Sequence, residues 1–408
     1  MTQTPGVDVP NAEDVERLSE TFDHLDSELN YDVLQQVYSR LHAGCPVPKT
    51  PAHGGYALVT RYDDIVEVEK NTKTFSSGRD GVLHPPHEGR SRSIPIEFDG
   101  PEHLAYRKLF MEALSAPRVR KLRPYLEDLT ERMLDRFADG DDVDFVQNVA
   151  VQIPVRAVGH LLGLGEDANE EMQSFATMVL ENAGTPKMVE GLQQLDALSA
   201  VHCNQRRERP GTDYLSTLVH LDFGGRPLTD DELMNIIRSF VFAGFETTAR
   251  AIGSLVHHLV THAEIQADLR SGSLPLEGVV EEGLRLFPPV QNMFRTATAA
   301  TTLNGSELTE GERLVLLYAV ANRDPAQFED PESFCPVRAN PRQHVAFGIG
   351  AHYCAGATLA RAEIHVLLQA LVKRPPLELA GTPRHSPHLM MGQMMGVDYL
   401  PLRFQEVK

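Results

Sequence analysis

The chain has 408 residues, 42% hydrophobic and 23% charged, and its 38 Lys and Arg against 57 Asp and Glu give a net charge of −19. These fractions exclude an intrinsically disordered or collagen-like chain, and the negative charge argues against nucleic acid as the main partner. The sequence contains no run of about 18 uncharged apolar residues. Residues 1–20 are polar and acidic, unlike a signal peptide. We therefore expect a cytoplasmic protein without a membrane span, with a flexible tail over residues 1–20.

Helical periodicity dominates the chain. Residues 21–75 combine helical patterns with a strand pattern at 55–60, and residues 76–100, rich in Gly, Pro, His and Ser, predict a long loop. A capping box at Thr229–Glu232 begins a predicted helix of about thirty residues. Short strand patterns follow Pro288, including residues 314–317, and a last helix is predicted over residues 355–373. The sequence therefore predicts a mainly α fold with a minor sheet, in one domain over residues 21–408.

The four cysteines lie far apart and form no CxxC pair: Cys45, Cys203, Cys335 and Cys354. This spacing fits a reducing compartment and offers no structural zinc site. His84 and His87 flank two prolines but have no carboxylate or cysteine close by in the sequence, so we predict no metal site there. Each cysteine remains a candidate for a separate role.

One cysteine is carried by a glycine-rich loop into the start of a helix, where residues 347–356 read FGIGAHYCAG. Backbone N–H groups at the helix start favour a thiolate at Cys354, and the glycines allow close approach of a flat group. Such a thiolate suits haem iron as an axial ligand, although a buried structural cysteine is the other interpretation. Every fixed position matches F-G-x-G-x-H/R-x-C-x-G. The segment therefore resembles the signature of the cytochromes P450.

The resemblance implies a fold and a cofactor. We expect the cytochrome P450 fold of the soluble bacterial class, a large helical domain with a smaller β-rich part. Haem b would be buried between the long central helix and the cysteine-loop helix. Cys354 would be the proximal iron ligand, His352 would reach a haem propionate, and Phe347 would pack near the sulfur. Gly348 and Gly356 are further cofactor-binding positions of the loop.

The middle of the long helix carries a carboxylate and two hydroxyls, in the segment AGFETT at residues 243–248. A packing helix whose threonines bond to carbonyl oxygens four residues earlier is one interpretation. The segment also resembles the P450 pattern A/G-G-x-D/E-T-T. This resemblance implies that Glu246 and Thr247 deliver protons during dioxygen activation. Gly244 would leave room for dioxygen, and Ala243 would adjoin the cofactor.

Two supporting groups are predicted from their spacing and the same resemblance. Glu282 and Arg285 form an E-x-x-R pair, which alone is usually a surface ion pair. In the family it is a buried pair joined by an arginine from a downstream loop, here Arg338, with a structural role. The second group would bind the haem propionates: His103 and Arg107 from one helix start, and Arg295. For the first two, a solvated His–Arg face is the alternative.

Electron supply is predicted from a local charge contrast. Residues 101–123 contain six basic and two acidic side chains, a net charge of +4 in a chain of −19. In the family this surface accepts a small acidic iron–sulfur protein, so the resemblance implies a separate ferredoxin and a reductase fed by NAD(P)H. The docking residues would be Arg107, Lys108, Arg118, Arg120 and Lys121. A merely solvated helix is the alternative.

The resemblance also implies which segments contact the substrate. The candidates are Ile94, Ile96, Ser239, Phe242, Val290, Gln291, Asn292, Met293, Gln393 and Met394. Their mixture of apolar side chains with a few amides suits a medium-sized apolar or lightly oxygenated molecule. The leading hypothesis is a monooxygenase that hydroxylates or epoxidises such a molecule. A peroxide-driven haem-thiolate enzyme and a non-catalytic haem or small-molecule binding protein are the alternatives.

Overall fold

The computed structural model describes residues 12–85, 91–135, 137 and 142–405. Its helices are α1 (Ala12–Glu20), α2 (Tyr31–Ala43), α3 (Tyr62–Lys70), α4 (Gly100–Ala113), α5 (Ala116–Asp135), α6 (Gln152–Leu162), α7 (Glu166–Glu181), α8 (Pro186–Glu208), α9 (Tyr214–Val219), α10 (Asp230–Thr261), α11 (Ala263–Ser271), α12 (Leu276–Leu286), α13 (Tyr318–Ala321) and α14 (Ala357–Leu371). Its strands are β1 (Lys49–Thr50), β2 (Tyr56–Val59), β3 (Phe75–Ser76), β4 (Val143–Asp144), β5 (Asn292–Ala297), β6 (Thr301–Leu303), β7 (Ser306–Leu308), β8 (Arg313–Leu317), β9 (Leu377–Leu379), β10 (Arg384–His385), β11 (Val397–Tyr399) and β12 (Pro401–Phe404). The predicted mainly α fold with a minor sheet is confirmed.

The long central helix α10 spans 32 residues and organises the helical part. Its predicted capping box is present, because the Glu232 backbone N–H donates to Thr229 Oγ1 at 3.2 Å and the Thr229 N–H donates to Glu232 Oε2 at 2.8 Å. The first half of α10, including Phe240 and Phe245, packs in one apolar cluster, and the second half, from Ala251 to Leu259, packs in another. Because α10 contributes to both clusters, it is the core of the helical part of the fold.

The largest sheet has five strands in the order β1-β2-β8-β5-β3. Strand β8 pairs in parallel with β2 and antiparallel with β5, so it lies in the middle of the sheet. Its residues are all buried, and alternate side chains enter apolar clusters on opposite faces: Val315 and Leu317 on one, Leu314 and Leu316 on the other. A continuous apolar run is expected for a strand covered on both faces.

The predicted tail is wrong for its second half. Residues 12–20 form α1, and Val15 and Leu18 of α1 are buried in the apolar cluster that also contains α2. Val15 and Leu18 share one face at a spacing of three residues, which gives a short amphipathic helix a surface to pack on. Residues 1–11 lie outside the described part of the chain.

The long predicted loop agrees with the structure in its described segments. Residues 77–85 and 91–99 contain no helix or strand, and residues 86–90, which include His87, lie outside the described chain. None of the described helices combines the length and apolarity needed to cross a membrane.

Candidate functional site

The cysteine loop is a tight turn that glycine makes possible. Gly348 and Gly350 have φ values of 63° and 69°, in the left-handed region, and a side chain at Gly350 would lie 2.8 Å from the carbonyl oxygen of Glu69. The Cys354 N–H donates to the Phe347 carbonyl oxygen at 2.8 Å and closes the turn. The loop is thereby fixed against α3 just before α14 begins.

The thiol of Cys354 does not behave as the helix start alone predicted. Burial among protein atoms raises its pKa, and this effect outweighs the N–H groups of Gly356 and Ala357 and the charges of Arg107 and Arg361, which act in the opposite direction. The residue nevertheless keeps accessible surface. The exposure and the raised pKa are compatible, because a side chain can keep accessible surface while many protein atoms surround it. A cation bound to the sulfur would displace the proton, as metal-bound thiols generally show.

Two neighbouring histidines have ring nitrogens without partners. The rings of His103, from α4, and His352, from the cysteine loop, have centroids 4.1 Å apart. Within the described residues, Nε2 of both is buried and has no hydrogen-bond partner. The nearest acid to His352 is Asp99, 3.7 Å away, which is too far for a hydrogen bond. Unpaired buried donors are costly, so these two fit the carboxylates of a bound anion such as a haem propionate.

The predicted propionate partners Arg107 and Arg295 have protein partners here. Arg107 donates to the Tyr353 carbonyl oxygen and so ties α4 to the cysteine loop. Arg295 donates to Glu69 Oε1 at 2.9 Å and to the Phe294 carbonyl oxygen at 2.8 Å. Arg295 and Glu69 form a buried ion pair, because an arginine within the sheet needs a counter-charge.

The role of Glu69 was not predicted from the sequence. Its carboxylate also accepts hydrogen bonds from the hydroxyl of Tyr318, at 2.5 Å, and from the backbone N–H of Ile349 in the cysteine loop. It therefore connects α3, the sheet and the loop. No local pattern distinguishes Glu69 from Asp64, which is buried on the same short helix. The partners of Glu69 lie more than 220 residues away, and only the fold brings them together.

The middle of α10 shows features of a packing helix and also features of the proton-delivery segment. The Thr247 hydroxyl donates to the Ala243 carbonyl oxygen at 2.6 Å, which is the bond expected of a packing helix. Its oxygen can still accept a hydrogen bond. Ser239, Phe242, Ala243, Glu246 and Thr247 also form the less buried side of a helix that is otherwise buried. The predicted acid and alcohol therefore lie on the accessible side.

Gly244 makes a packing contact that was not predicted. A side chain at Gly244 would lie 2.7 Å from a methyl group of Val158 on α6. The missing side chain therefore allows α6 and α10 to approach closely. Close packing of two helices is a common reason for an interior glycine.

The acid Glu246 is held by a buried arginine. Arg250, one turn further along α10, lies 2.7 Å from Glu246 and 2.8 Å from Asp398 on β11. Arg250 also donates to Ser386 Oγ at 2.5 Å. Since Arg250 is buried and Asp398 is partly exposed, a chain of charged groups leads from Glu246 towards the surface.

A second buried acid was not predicted. Glu363 on α14 is almost fully buried, and burial raises its pKa to about 8 even though a hydrogen bond with Thr248 of α10 acts in the opposite direction. Glu363 is therefore a neutral acid near pH 7. Its hydrogen bond with Thr248 joins α14 to α10. The sequence did contain an indication, because Glu363 lies between Leu359 and Leu367 on an apolar face.

The predicted E-x-x-R group is assembled as expected. Arg285 is fully buried and donates to both carboxylate oxygens of Glu282, at 2.8 and 2.7 Å. Arg338 donates to the same carboxylate at 3.1 to 3.3 Å. Burial alone would raise the pKa of Glu282, but these hydrogen bonds outweigh it and lower the pKa.

The predicted substrate residues divide into two groups. Ile96, Ser239, Phe242, Val290 and Met293 keep some accessible surface, whereas Ile94, Gln291, Asn292, Gln393 and Met394 are buried. Two of the side-chain amides form hydrogen bonds with the backbone. Asn292 donates to the Gly392 carbonyl oxygen at 2.9 Å, and Gln393 donates to the Val82 carbonyl oxygen at 3.1 Å. Asn292 is 0% exposed, so it cannot touch a substrate in this arrangement.

A helical fold around one spanning helix, with a cysteine loop and two unpaired imidazoles beside it, defines a protein of the haem-thiolate class. Comparisons with known proteins identify the family. A family model described as Cytochrome P450 matches residues 176–397. The chain belongs to the cytochrome P450 family and is a cytochrome P450 monooxygenase.

Relatives and solved structures agree with this assignment. Cytochrome P450 107B1 of Saccharopolyspora erythraea is 34% identical over 85% of this chain and 88% of its own length. The Steroid C26-monooxygenase of Mycolicibacterium smegmatis is 29% identical over 85% of this chain and 86% of its own. The crystal structure of CYP108D1 from Novosphingobium aromaticivorans, 27% identical, superimposes with a TM-score of 0.85 over 98% of this chain and 99% of that one.

Proposed function

We propose that this protein hydroxylates or epoxidises a medium-sized, apolar or lightly oxygenated small molecule, using O2 and electrons that come from NAD(P)H through a separate reductase and an acidic ferredoxin. The haem-thiolate domain would begin with α1, at Ala12 instead of the predicted residue 21, and act in the cytoplasm. The observation that carries the proposal is the position of Glu246 and Thr247 on the accessible side of α10. A protein that only bound haem would not need an acid and an alcohol there.

The chain supplies residues for holding the cofactor. Haem b, when bound, supplies activation of O2 and transfer of one oxygen atom to the substrate. Cys354 is the ligand for its iron, and the N–H groups of Gly356 and Ala357 moderate the charge of the sulfur. His103 and His352 offer their unpaired Nε2 atoms to the propionates. Arg107 fixes the helix that carries His103 to the cysteine loop.

Glu246 and Thr247 handle protons in this proposal. Thr247 donates to the Ala243 carbonyl oxygen and so leaves its oxygen free to accept a hydrogen bond from a water molecule. Arg250 holds the Glu246 carboxylate one helical turn away and connects it with Asp398. The guanidinium of Arg250 stays protonated, so its part is to orient Glu246, which would exchange protons with water on the accessible side of α10.

Apolar side chains favour the proposed substrate class. Ile96, Phe242, Val290 and Met293 are the accessible apolar candidates, and the neighbouring amides are used to hold backbone. Relatives include proteins named Steroid C26-monooxygenase, Cyclomarin C epoxidase CymV of Salinispora arenicola and Mycinamicin IV hydroxylase/epoxidase of Micromonospora griseorubida. These names cover both hydroxylation and epoxidation, which supports the proposal in its broad form.

The Thr247→Ala variant tests the proton-delivery role. NAD(P)H consumption should continue, whereas product formed per NAD(P)H should fall about tenfold or more and hydrogen peroxide should rise, because protons no longer arrive in the required position. Product, peroxide and cofactor consumption are measured together with a substrate found by spin-state titration.

A matched control is available on the same helix. Thr261 also donates to a carbonyl oxygen four residues earlier, that of His257 at 2.9 Å, but lies at the far end of α10. Thr261→Ala should keep wild-type coupling. Unchanged coupling in Thr247→Ala would refute the assigned role. Turnover with hydrogen peroxide as efficient as with ferredoxin would favour the peroxide-driven alternative.

The proposed ferredoxin surface combines charge with exposed apolar groups. Lys108, Arg120 and Lys121 are exposed, and Arg118 is partly neutralised by Glu112 at 3.2 Å. Leu104 and Met111 of α4 are 55% and 46% exposed, on the helix face that also presents Lys108. Apolar contacts surrounded by basic side chains suit a transient complex with an acidic partner.

Charge reversal at Lys108 tests this surface. Lys108→Glu should raise the KM for an acidic ferredoxin about tenfold at low salt, and the difference from wild type should shrink as ionic strength rises. Substrate binding should be unchanged. Lys187→Glu, on the exposed part of α8, makes the same charge change elsewhere and should leave the KM for ferredoxin unaltered. Equal effects of both variants would remove the assignment of the docking face.

A further inference from the structure

Three side chains of types that can bind a metal meet outside the cysteine loop. Asp23 and His24 follow α1, and His53 lies in the turn between β1 and β2. Asp23 Oδ1 is 2.8 Å from His53 Nε2 and 3.9 Å from His24 Nδ1. The three ligand atoms all lie within 4.8 Å of one another. Two ligands of a tetrahedral zinc ion at ~2.1 Å are about 3.4 Å apart, so small shifts would give coordination distances.

The hydrogen bonds of His24 direct a lone pair into this cluster. His24 Nε2 is 2.7 Å from the carbonyl oxygen of His84, which can only accept, so Nε2 carries the hydrogen. In the neutral ring, Nδ1 therefore has the lone pair. A histidine that binds a metal characteristically gives its other N–H to a backbone carbonyl or a carboxylate. The bond from His24 Nε2 to the His84 carbonyl oxygen gives the ring this orientation.

The only donor near His24 Nδ1 in the described residues has a second acceptor. The Tyr56 hydroxyl is 3.1 Å from His24 Nδ1 and 2.9 Å from the carbonyl oxygen of Phe22. A hydroxyl has one hydrogen and cannot donate fully to both. A cation at Nδ1 would satisfy the imidazole and leave the hydroxyl to Phe22. His24 Nδ1 is thus an acceptor whose hydrogen bonding is incomplete.

The backbone of His53 is a second, independent observation. His53 has φ 49° and ψ 39°, a left-handed conformation that residues with a side chain seldom adopt, and Gly54 and Gly55 follow it with positive φ. Histidine adopts this conformation more often than most residues with a side chain, although it remains uncommon. Unfavourable conformations of this kind concentrate at functional sites.

We propose that Asp23, His24 and His53 form a site for a divalent transition metal, for which Zn²⁺ is the best match. Two imidazoles and one carboxylate are typical zinc ligands, and a water molecule would complete the tetrahedron. The side chains of Asp23 and His53 are 30% and 27% exposed, so the ion can enter from solvent.

Metal binding would join four segments. The three ligands connect the end of α1 with the β1–β2 turn. The His24 ring holds the His84 carbonyl of the long loop, and it packs against the turn at Gly392, where a side chain would lie 2.5 Å from the ring. Both of these segments adjoin predicted substrate residues. Occupancy of the site should therefore stabilise the folded protein and limit the motion of these loops.

The test uses the untagged, haem-loaded protein after chelator treatment, with Zn²⁺ as the probe. Wild type should retain one equivalent of zinc after dialysis, and absorption spectroscopy at the zinc edge should show nitrogen and oxygen neighbours at ~2.0–2.2 Å and no sulfur. His53→Ala and Asp23→Asn should each weaken zinc binding at least about tenfold in competition with a chromogenic chelator. Zinc should raise the Tm of wild type but not that of His53→Ala.

His220→Ala is the matched control, since His220 is an exposed histidine at the end of α9, away from the cluster. It should bind zinc like wild type. Wild-type affinity in both His53→Ala and Asp23→Asn would overturn the proposal, and so would sulfur neighbours, which would assign the zinc to a cysteine. The reduced CO spectrum reports the haem site separately, so failure here is independent of the proposed catalytic function.

Discussion

Replacing Cys354 with alanine is expected to abolish the thiolate-type spectrum of the reduced, CO-bound protein and to reduce monooxygenase turnover to background. The side chain is the only thiol in the cysteine loop, and the N–H groups of Gly356 and Ala357 are directed at its sulfur. Alanine removes the anionic ligand, and with it the electron donation that favours cleavage of the O–O bond. The measurement is the reduced CO difference spectrum, together with a haem assay on the same sample.

The haem assay separates two outcomes. If haem is retained without the thiolate spectrum, Cys354 acts mainly as the ligand; if haem is also lost, the Fe–S bond is needed for retention as well. Cys45→Ala and Cys335→Ala are controls, because these free thiols lie at an exposed and a partly buried position outside the loop. Both should keep the wild-type spectrum. A persisting thiolate spectrum in Cys354→Ala would contradict the ligand assignment.

Local features were predicted well from the sequence. The capping box that begins α10, the strand at 314–317 and the helix after the cysteine loop depend on residues within a few positions of each other. Apolar periodicity and capping chemistry express such short-range interactions directly. The order of the motifs along the chain led to the family, which the comparisons confirm.

Contacts with distant partners were not predicted. Arg295 matches a propionate-binding position, and its guanidinium also bonds with Glu69, 226 residues earlier. Gly244 matches a position beside dioxygen, and its missing side chain also admits Val158 of another helix. Both omissions have one physical cause. A motif indicates which residue type is present, whereas packing determines which neighbour that residue meets.

Electrostatics was the other weak point of the sequence analysis. The helix start was expected to stabilise a thiolate at Cys354, but burial raises the pKa of the thiol. Conversely, Glu363 looked like an ordinary helix residue, and burial keeps it neutral near pH 7. Desolvation depends on the number of surrounding protein atoms, which no local pattern reports.

The largest loss of stability is expected from Arg285→Ala. Arg285 donates to both oxygens of Glu282 and also to the carbonyl oxygens of Asn322, Pro331 and Ser333, at 2.7 to 3.0 Å. Alanine leaves the three carbonyls without this donor and the buried carboxylate with less compensation. Breaking one side of a buried ion pair typically costs about 3–5 kcal/mol. Urea unfolding of the haem-loaded protein, followed by circular dichroism, measures the free energy of unfolding.

The pH dependence gives this prediction a second readout. Because hydrogen bonds lower the pKa of Glu282 in the folded state, the group stabilises the protein above its unfolded pKa of about 4.3, and this contribution is lost as the pH falls through the lower folded pKa. The destabilisation by Arg285→Ala should therefore be full at pH 7 and shrink in acid. A difference that stays constant down to pH 3 would show that the charge of Glu282 is not involved.

Two further substitutions separate the pair from general effects of losing an arginine. Arg285→Lys keeps the charge, but its three donors cannot replace five bonds in a planar arrangement, so it should recover only part of the loss. Arg132→Ala removes the partner of Asp128 from a pair whose side chains are about half exposed, and it should cost less than about 1 kcal/mol. If Arg285→Ala cost no more than Arg132→Ala, the buried group would not be a main source of stability. A large loss confined to Arg285 would show that the folded protein depends on a charge cluster with no part in the chemistry.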